Sequence, residues 1–180
     1  MYRYEIRLSG AGGQGMITAG IILAEAALYE NDVNVSQTQS YGPESRGGAS
    51  RAEVVLSPDM IDYPKVTKPN ILVALTQEAF NKYNSDVKEE GIIIVDEGID
   101  IESADTEAKI YSLLIIKTAE DEVGKKLTAN MVVLGIINKF IKEINPDSVE
   151  KGISSKFPQK LVDMNKKAFE IGEKLSENLK

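Results

Sequence analysis

The chain has 180 residues, 42% of them hydrophobic, and a formal net charge of −7; this is enough for one domain, residues 1–180, that buries roughly 70% of its unfolded surface. Its 21 lysines and arginines are scattered among 28 acids, which argues against a surface that tracks nucleic-acid phosphates. Cysteine and histidine are both absent, which excludes disulfides, thiolate catalysis and cysteine-ligated iron–sulfur clusters and disfavours self-contained zinc or acid–base chemistry.

Residues 2–9 alternate tyrosine and aliphatic side chains with Arg3, Glu5 and Arg7, the pattern of a first strand with two unlike faces. A glycine-rich loop follows, and from Gln14 the residues Ile17, Ile21, Ala24, Ala27 and Leu28 recur at helical spacing, predicting a helix to about Glu30. Residues 33–39 and 52–56 are the second and third extended runs, separated by the 41–48 loop. Pro58, Pro64 and Pro69 exclude a long helix from the next connection. Residues 71–75, 92–95 and 110–116 are further strand candidates, with a short helix over 77–83. Their unbroken aliphatic character suits a parallel sheet covered on both faces. After Asn130 the residues Met131, Val132, Val133, Leu134, Ile136, Ile137, Phe140 and Ile141 form a helix destined for burial, with Asn138 and Lys139 as polar exceptions. Pro146 opens the next helix, and Leu161, Met164, Ala168, Ile171, Leu175 and Leu179 mark a final amphipathic one. The fold class is therefore α/β, three-layered and Rossmann-like, with helices on both faces of a mainly parallel sheet. No apolar run approaches the ~20 residues needed to span a bilayer, and the N-terminus lacks a signal-peptide pattern, so a cytoplasmic, membrane-free location is expected.

Two segments stand out as chemistry. Gly10, Gly12 and Gly15 fit G-x-G-x-x-G between a strand and a helix, where backbone N–H groups and the helix dipole can hold a phosphate. The acid that would grip a ribose at the end of the second strand is missing, because residues 35–39 read Val-Ser-Gln-Thr-Gln, and this lowers the case for a nicotinamide cofactor. A Walker A loop is excluded, since Gly-Lys-Ser/Thr does not occur. The alternative is that these glycines only permit tight strand-to-helix packing. The second segment, residues 40–51, carries Tyr41, Gly42, Pro43, Glu44, Arg46, Gly47, Gly48 and Arg51. Arg46 and Arg51 either grip phosphate or carboxylate bidentately or make salt bridges at a subunit interface, and Glu44 lies near enough in sequence to neutralise Arg46. Asp96-Glu97 is two acids without further ligands and receives no metal role.

These two loops, together with Ile61-Asp62-Tyr63-Pro64-Lys65-Val66, Ala79-Phe80-Asn81-Lys82-Tyr83 and Asn130-Met131-Val132-Val133-Leu134-Gly135, resemble the gamma subunit of 2-oxoacid:ferredoxin oxidoreductases over most of the chain. The run from Ser40 to Arg51 looks most like the 2-oxoglutarate type. The resemblance implies a multisubunit enzyme that converts 2-oxoglutarate, coenzyme A and oxidised ferredoxin to succinyl-coenzyme A, carbon dioxide and reduced ferredoxin. It also implies thiamine diphosphate, magnesium and iron–sulfur clusters held by alpha, beta and ferredoxin-like delta subunits, none of these groups being bound by this chain alone, and ferredoxin as the acceptor. Under this reading no catalytic residue and no metal ligand lies here. Gly10, Gly12, Gly13, Gln14, Gly15 and the second loop are candidates for contact with coenzyme A or with a partner chain, and the isolated chain is inactive. Three alternatives stay open: a gamma subunit for pyruvate or a branched-chain oxoacid, a stand-alone nucleotide-binding protein, and a purely structural interaction protein.

Overall fold

The computed structural model describes residues 3–40 and 49–179. Six strands form one sheet: β1 (Tyr4–Gly10), β2 (Asn34–Gln39), β3 (Ser50–Ser57), β4 (Ile71–Ala74), β5 (Ile92–Asp96) and β6 (Lys109–Leu113), in the spatial order β2-β3-β1-β4-β5-β6. β1, β4, β5 and β6 run parallel, while β3 is antiparallel to both of its neighbours, β1 and β2. The mainly parallel α/β sheet expected from the aliphatic runs is what forms.

The period-2 alternation of the central strands sorts side chains into two cores. Ile6, Leu8, Val54, Leu56, Ile71, Val73 and Ile94 face a thick layer made by α1 (Met16–Ala27), α4 (Ala129–Asn138), α5 (Pro146–Lys156) and α6 (Gln159–Ser176). Leu72, Ala74, Ile93 and Val95 face the other way, against α2 (Gln77–Tyr83) and the apolar residues of the connection before β6. Helices thus cover both faces, unequally.

Each helix has a local cause. Thr76 caps α2 by accepting the Ala79 N–H at 3.2 Å, with Glu78 in the first turn and Lys82 in the last. Pro146 sits in the first turn of α5, as its fixed φ allows. α4 is buried along its whole length because α6 crosses it at two glycines: a Cβ on Gly135 would collide with the Phe169 carbonyl oxygen, and one on Gly172 would collide with that of Val132.

Three boundaries differ from the sequence reading, the first being the helix expected from Gln14 to about Glu30, which spans Met16–Ala27. The strand expected over 110–116 ends at Leu113, and Ile115–Thr118 is a helical turn, α3, that runs on into a π-helical turn at Ala119–Val123. The Asp96 carboxylate accepts the Ile116 N–H at 2.8 Å and so supplies a cap that an aliphatic run cannot announce. α4 stops at Asn138 rather than at Ile141. Residues 58–70 carry neither helix nor strand, in keeping with their three prolines. They are held by buried Glu5, whose carboxylate accepts the N–H groups of Thr67 and Lys68, each at 2.9 Å.

Candidate functional site

Topology brings the two glycine segments together. β1 and β2 end where the antiparallel β3 begins, and the register pairs Gly10 with Ser50, Ser9 with Arg51 and Gln39 with Ala52. Ser50 Oγ donates to the Gly10 carbonyl at 2.9 Å, and the Ser40 N–H donates to the Arg51 carbonyl at 3.1 Å, so the start of the 10–15 loop and the flanks of the second segment lie side by side at one end of the sheet. Tyr41, Gly42, Pro43, Glu44, Arg46, Gly47 and Gly48 lie outside the described residues; the stem that carries them lies within.

The same end holds the point where the connections change faces. α1 leaves β1 on one side of the sheet and α2 leaves β4 on the other, and crevices outside the carboxyl ends of strands at such a switch are where open α/β sheets bind ligands. The 10–15 loop is built for close backbone approach. Gln14 folds back so that its Oε1 accepts the Ala11 N–H at 2.7 Å, while the Gln14 N–H donates to the Ala11 carbonyl at 3.2 Å. Gly13 and Gly15 adopt φ of 91° and 76°, in the region that favours glycine. Gly15 is the last residue before α1, and its carbonyl accepts both the Ala19 N–H at 3.0 Å and Asn130 Nδ2 at 3.3 Å. The first turn of α1 carries no acid, so its positive pole faces the loop without a carboxylate of its own.

Two cavities open beside this loop. One, of about 390 Å³, is lined by Gly13, Gln14, Leu75, Ile116, Lys126 and Leu127 among others. Another, of about 180 Å³, includes Gly15, Thr18, Lys125, Asn130 and Asn165 in its wall. Leu127 stands between them with 63% of its surface exposed. Sequence reasoning missed this wall. The stretch after the π-helical turn, with Gly124 at φ 84°, swings Lys125, Lys126 and Leu127 back over the glycines, and nothing in residues 114–128 advertises that return except the glycine itself.

The foot of the second loop rests on a buried charged cluster. Arg7 Nε lies 2.9 Å from Glu53 Oε1, its NH1 nitrogen lies 2.5 Å from Asp86, and its guanidinium stacks 4.9 Å from the centre of the Tyr83 ring. Arg51 lies 3.6 Å from Glu53 and 5.7 Å from the same ring centre, so the two guanidiniums share one carboxylate and one aromatic. Arg51 is thereby a salt-bridging residue within the chain. Tyr83 Oη reaches the Ala49 carbonyl at 3.5 Å, at the exit of the loop.

Burial pushes the Asp96 carboxyl up, with Glu97 adding to it, against the N–H groups of Ile116 and Ile115, which bring it down. The described residues contain no group of three or more His, Cys, Asp or Glu able to hold a metal ion, and none of their helices is long and apolar enough to cross a membrane.

Comparison with known proteins places this architecture. The family model for pyruvate ferredoxin/flavodoxin oxidoreductase matches residues 5–175. The 2-oxoglutarate synthase subunit KorC of Methanocaldococcus jannaschii is 45% identical, covering 98% of this chain and 96% of that one. The ketoisovalerate oxidoreductase subunit VorA of Methanothermobacter marburgensis is 31% identical over 93% of this chain, which corresponds to only 35% of that longer polypeptide. The crystal structure of a keto/oxoacid ferredoxin oxidoreductase gamma subunit from Geobacter sulfurreducens is 41% identical, covers 98% of this chain and 97% of that one, and superposes with a TM-score of 0.87. The chain belongs to the pyruvate ferredoxin/flavodoxin oxidoreductase family.

Proposed function

We propose that this chain is the gamma subunit of a 2-oxoglutarate:ferredoxin oxidoreductase, one domain over residues 1–180 that completes the assembly and assists coenzyme A. The observation that carries the substrate is the gradient of likeness: 45% identity to a 2-oxoglutarate synthase subunit against 31% to the ketoisovalerate one, each over nearly all of this chain. The complex converts 2-oxoglutarate, coenzyme A and oxidised ferredoxin to succinyl-coenzyme A, carbon dioxide and reduced ferredoxin, in the cytoplasm.

The chemistry of the donor set decides what this subunit contributes. Without cysteine or histidine, its residues do not fit an iron–sulfur cluster, and the described residues offer no multidentate carboxylate group for magnesium diphosphate. In this reading, as the family resemblance implies, thiamine diphosphate, magnesium and the clusters are held by the alpha, beta and ferredoxin-like delta chains, from which ferredoxin takes the electrons. Anion binding is what this chain can supply. The N–H groups at Gly12, Gly13 and Gly15, the positive end of α1 and the lysine-lined cavity beside them suit the phosphates of coenzyme A. Gly10 and Gln14 set the shape of that loop, and Arg51, at the stem of the second segment, and Arg46, by its residue type, are further candidates for contact with coenzyme A or a partner chain.

Co-expression with the other subunits tests the reading. The assembled complex is expected to reduce a viologen acceptor fastest with 2-oxoglutarate and only with coenzyme A present, while the isolated chain is inactive. Preference for pyruvate or a branched-chain oxoacid would correct the substrate. An Arg46→Ala complex with unchanged assembly and unchanged KM for coenzyme A would remove that residue from the site. Saturable binding of NAD or NADP to the isolated chain at micromolar concentration would instead favour a stand-alone nucleotide-binding protein.

A further inference from the structure

β2 is the outermost strand of the sheet, and among the described residues no strand pairs with it beyond β3. The Ser40 N–H donates to the Arg51 carbonyl. Because antiparallel pairs alternate, the even-numbered residues of β2 direct their backbone groups to β3, while Val35 and Gln37 turn theirs to the open edge. From Val33 to Ser40 the chain reads Val-Asn-Val-Ser-Gln-Thr-Gln-Ser, without a charged residue or a proline, the devices that keep an edge from pairing. The opposite edge, β6, carries Lys109.

α1 places an apolar stripe beside that edge. Ile17, Ile21 and Ala24, with Leu28 just past the end of the helix, recur at helical spacing along one flank. The first three are half-buried, and Leu28 is 71% exposed. The adjoining face presses on the sheet at Gly20, where a Cβ would lie 2.7 Å from Ala52 Cβ and 3.9 Å from Gln37 Nε2. The far flank, at Ile22 and Ala26, is covered by α5 through Gly152. The stripe therefore overlooks β2 on the side where the sheet ends.

An open strand edge beneath an apolar helix flank is completed by another strand with an open edge, whose side chains on that face lie under the flank. A second copy of this chain brings the same edge and the same stripe, and antiparallel pairing of β2 with itself closes as a two-fold dimer. With the axis at the middle of β2, at Ser36 or Gln37, every side chain from Asn34 to Gln39 falls opposite an uncharged one of the second copy. A chain of net charge −7 thus meets itself where it is locally neutral, without like charges across the strands.

We infer that two copies of this chain pair antiparallel through β2, extending the six-stranded sheet across a two-fold axis, with the α1 stripe of each copy packed on the strand of the other. The interface joins two complexes edge to edge, and it holds whichever 2-oxoacid they take.

The chain has no cysteine, so one introduced thiol reports the axis. Residues opposite each other across an antiparallel pair have Cα atoms about 5 Å apart, within reach of a disulfide, whereas the two Asn34 residues would be more than about 10 Å apart. Mild oxidation of the full chain, free and in the assembled complex, is expected to give a covalent dimer of this chain from Ser36→Cys or Gln37→Cys and none from Asn34→Cys. Wild type at tens of micromolar is expected to sediment with twice the mass of one chain. Ile21→Glu, which sets a charge in each stripe, is expected to dissociate at least tenfold more readily. Leu127→Glu, at an exposed apolar residue beside the glycine loop, is the control and should sediment as wild type does. Where Ile21→Glu lowers the thermal midpoint, the cysteine variants alone carry the comparison. A wild-type chain that stays monomeric at every concentration and does not cross-link in the complex would overturn the inference, as would equal cross-linking from position 34. A thiol at 36 or 37 that joins a different subunit would assign the edge to that subunit and likewise overturn the dimer. None of these results touches the subunit reading, which falls only if the wild-type complex fails to turn over a 2-oxoacid.

Discussion

Gly15 is where the backbone of the candidate site can be tested most sharply, because two separable penalties await a side chain there. Its φ of 76° costs an L-residue roughly 1–2 kcal/mol. A Cβ would also collide with Asn130 Nδ2 and lie 2.9 Å from its Cγ. Asn130 is buried, so its amide would have to turn away and abandon the Gly15 carbonyl it now reaches at 3.3 Å, a loss of about 1 kcal/mol. Gly15→Ala is therefore expected to cost about 2–3 kcal/mol, or a fall of about 4–12 °C in Tm for a chain of this size.

Neighbouring residues separate the two terms. Gly13, at φ 91°, has nothing within 4 Å of the position a Cβ would take, so Gly13→Ala should show the backbone penalty alone, about 1–2 kcal/mol. In an Asn130→Ala background Gly15→Ala should fall to the same value, leaving a coupling of about 1 kcal/mol between positions 15 and 130. Urea unfolding of the four chains of this cycle, plus Gly13→Ala, at constant m-value measures each quantity. Equal costs of Gly15→Ala in both backgrounds would refute the contact, and a Gly15→Ala as stable as wild type would refute the backbone argument too.

Arg7→Met takes the 2.9 Å partner from buried Glu53, leaving the Arg51 contact at 3.6 Å and the Thr38 hydroxyl at 3.4 Å, and denaturant unfolding should show a loss of about 3–5 kcal/mol; a change under about 1 kcal/mol would mean that the cluster does not hold the sheet. Burial pushes the Glu30 carboxyl up, but Ser148, the Asn145 backbone and side chain, and Lys151 together hold it below its usual 4.5. Its contribution is therefore full above about pH 4.5 and disappears as pH falls through the lowered native value. Glu30→Gln should accordingly lower Tm at pH 7 and lose its effect in strong acid. Glu173 is displaced the other way, so its native penalty grows as pH rises from 4.5 through the raised native value. Glu173→Gln should raise the Tm of the free chain at pH 7 and match wild type well below pH 4.5. Glu150 and Glu170, whose charges add to that displacement, and the Lys166 that pairs with Glu150 at 3.0 Å are present in both chains being compared.

Local signals in the sequence were sufficient where periodicity and breakers agree. The strands at 4–10, 71–74 and 92–96, the proline-bound 58–70 connection and the all-buried α4 follow from apolar runs, prolines and helical spacing. What could not be read was set by contacts far apart in sequence. Residues 110–116 look uniformly extended until the Asp96 carboxylate, on a neighbouring strand, caps a helical turn at Ile116. Arg3, Glu5 and Arg7 mark an unlike face, yet nothing local says that the partners are Asp86, Glu53 and the backbone of residues 63–68. The site was legible in the same measure: the glycines and Arg51 announced themselves by composition, while Lys125, Lys126 and Leu127 reach the crevice only because a π-helical turn reverses the chain.

The position of β3 determines where the two ends of the second glycine segment lie. In an all-parallel sheet a segment joining β2 to a neighbouring strand would have to cross to the opposite end before pairing. Inserting β3 antiparallel between β2 and β1 sets Gln39, the last residue of β2, and Ser50, the first of β3, at the end of the sheet where the 10–15 loop opens. The stem of the second segment is then fixed by bonds that do not involve the loop itself: Ser50 to the Gly10 carbonyl, and Glu53 between Arg7 and Arg51. Rigid stems beneath glycine-rich tips are a direct way to present backbone N–H groups to a phosphate or to another chain. Glu53→Gln should therefore weaken both interfaces together, raising KM for coenzyme A and lowering subunit affinity in the same variant. A change in one without the other would show that the two loops work independently.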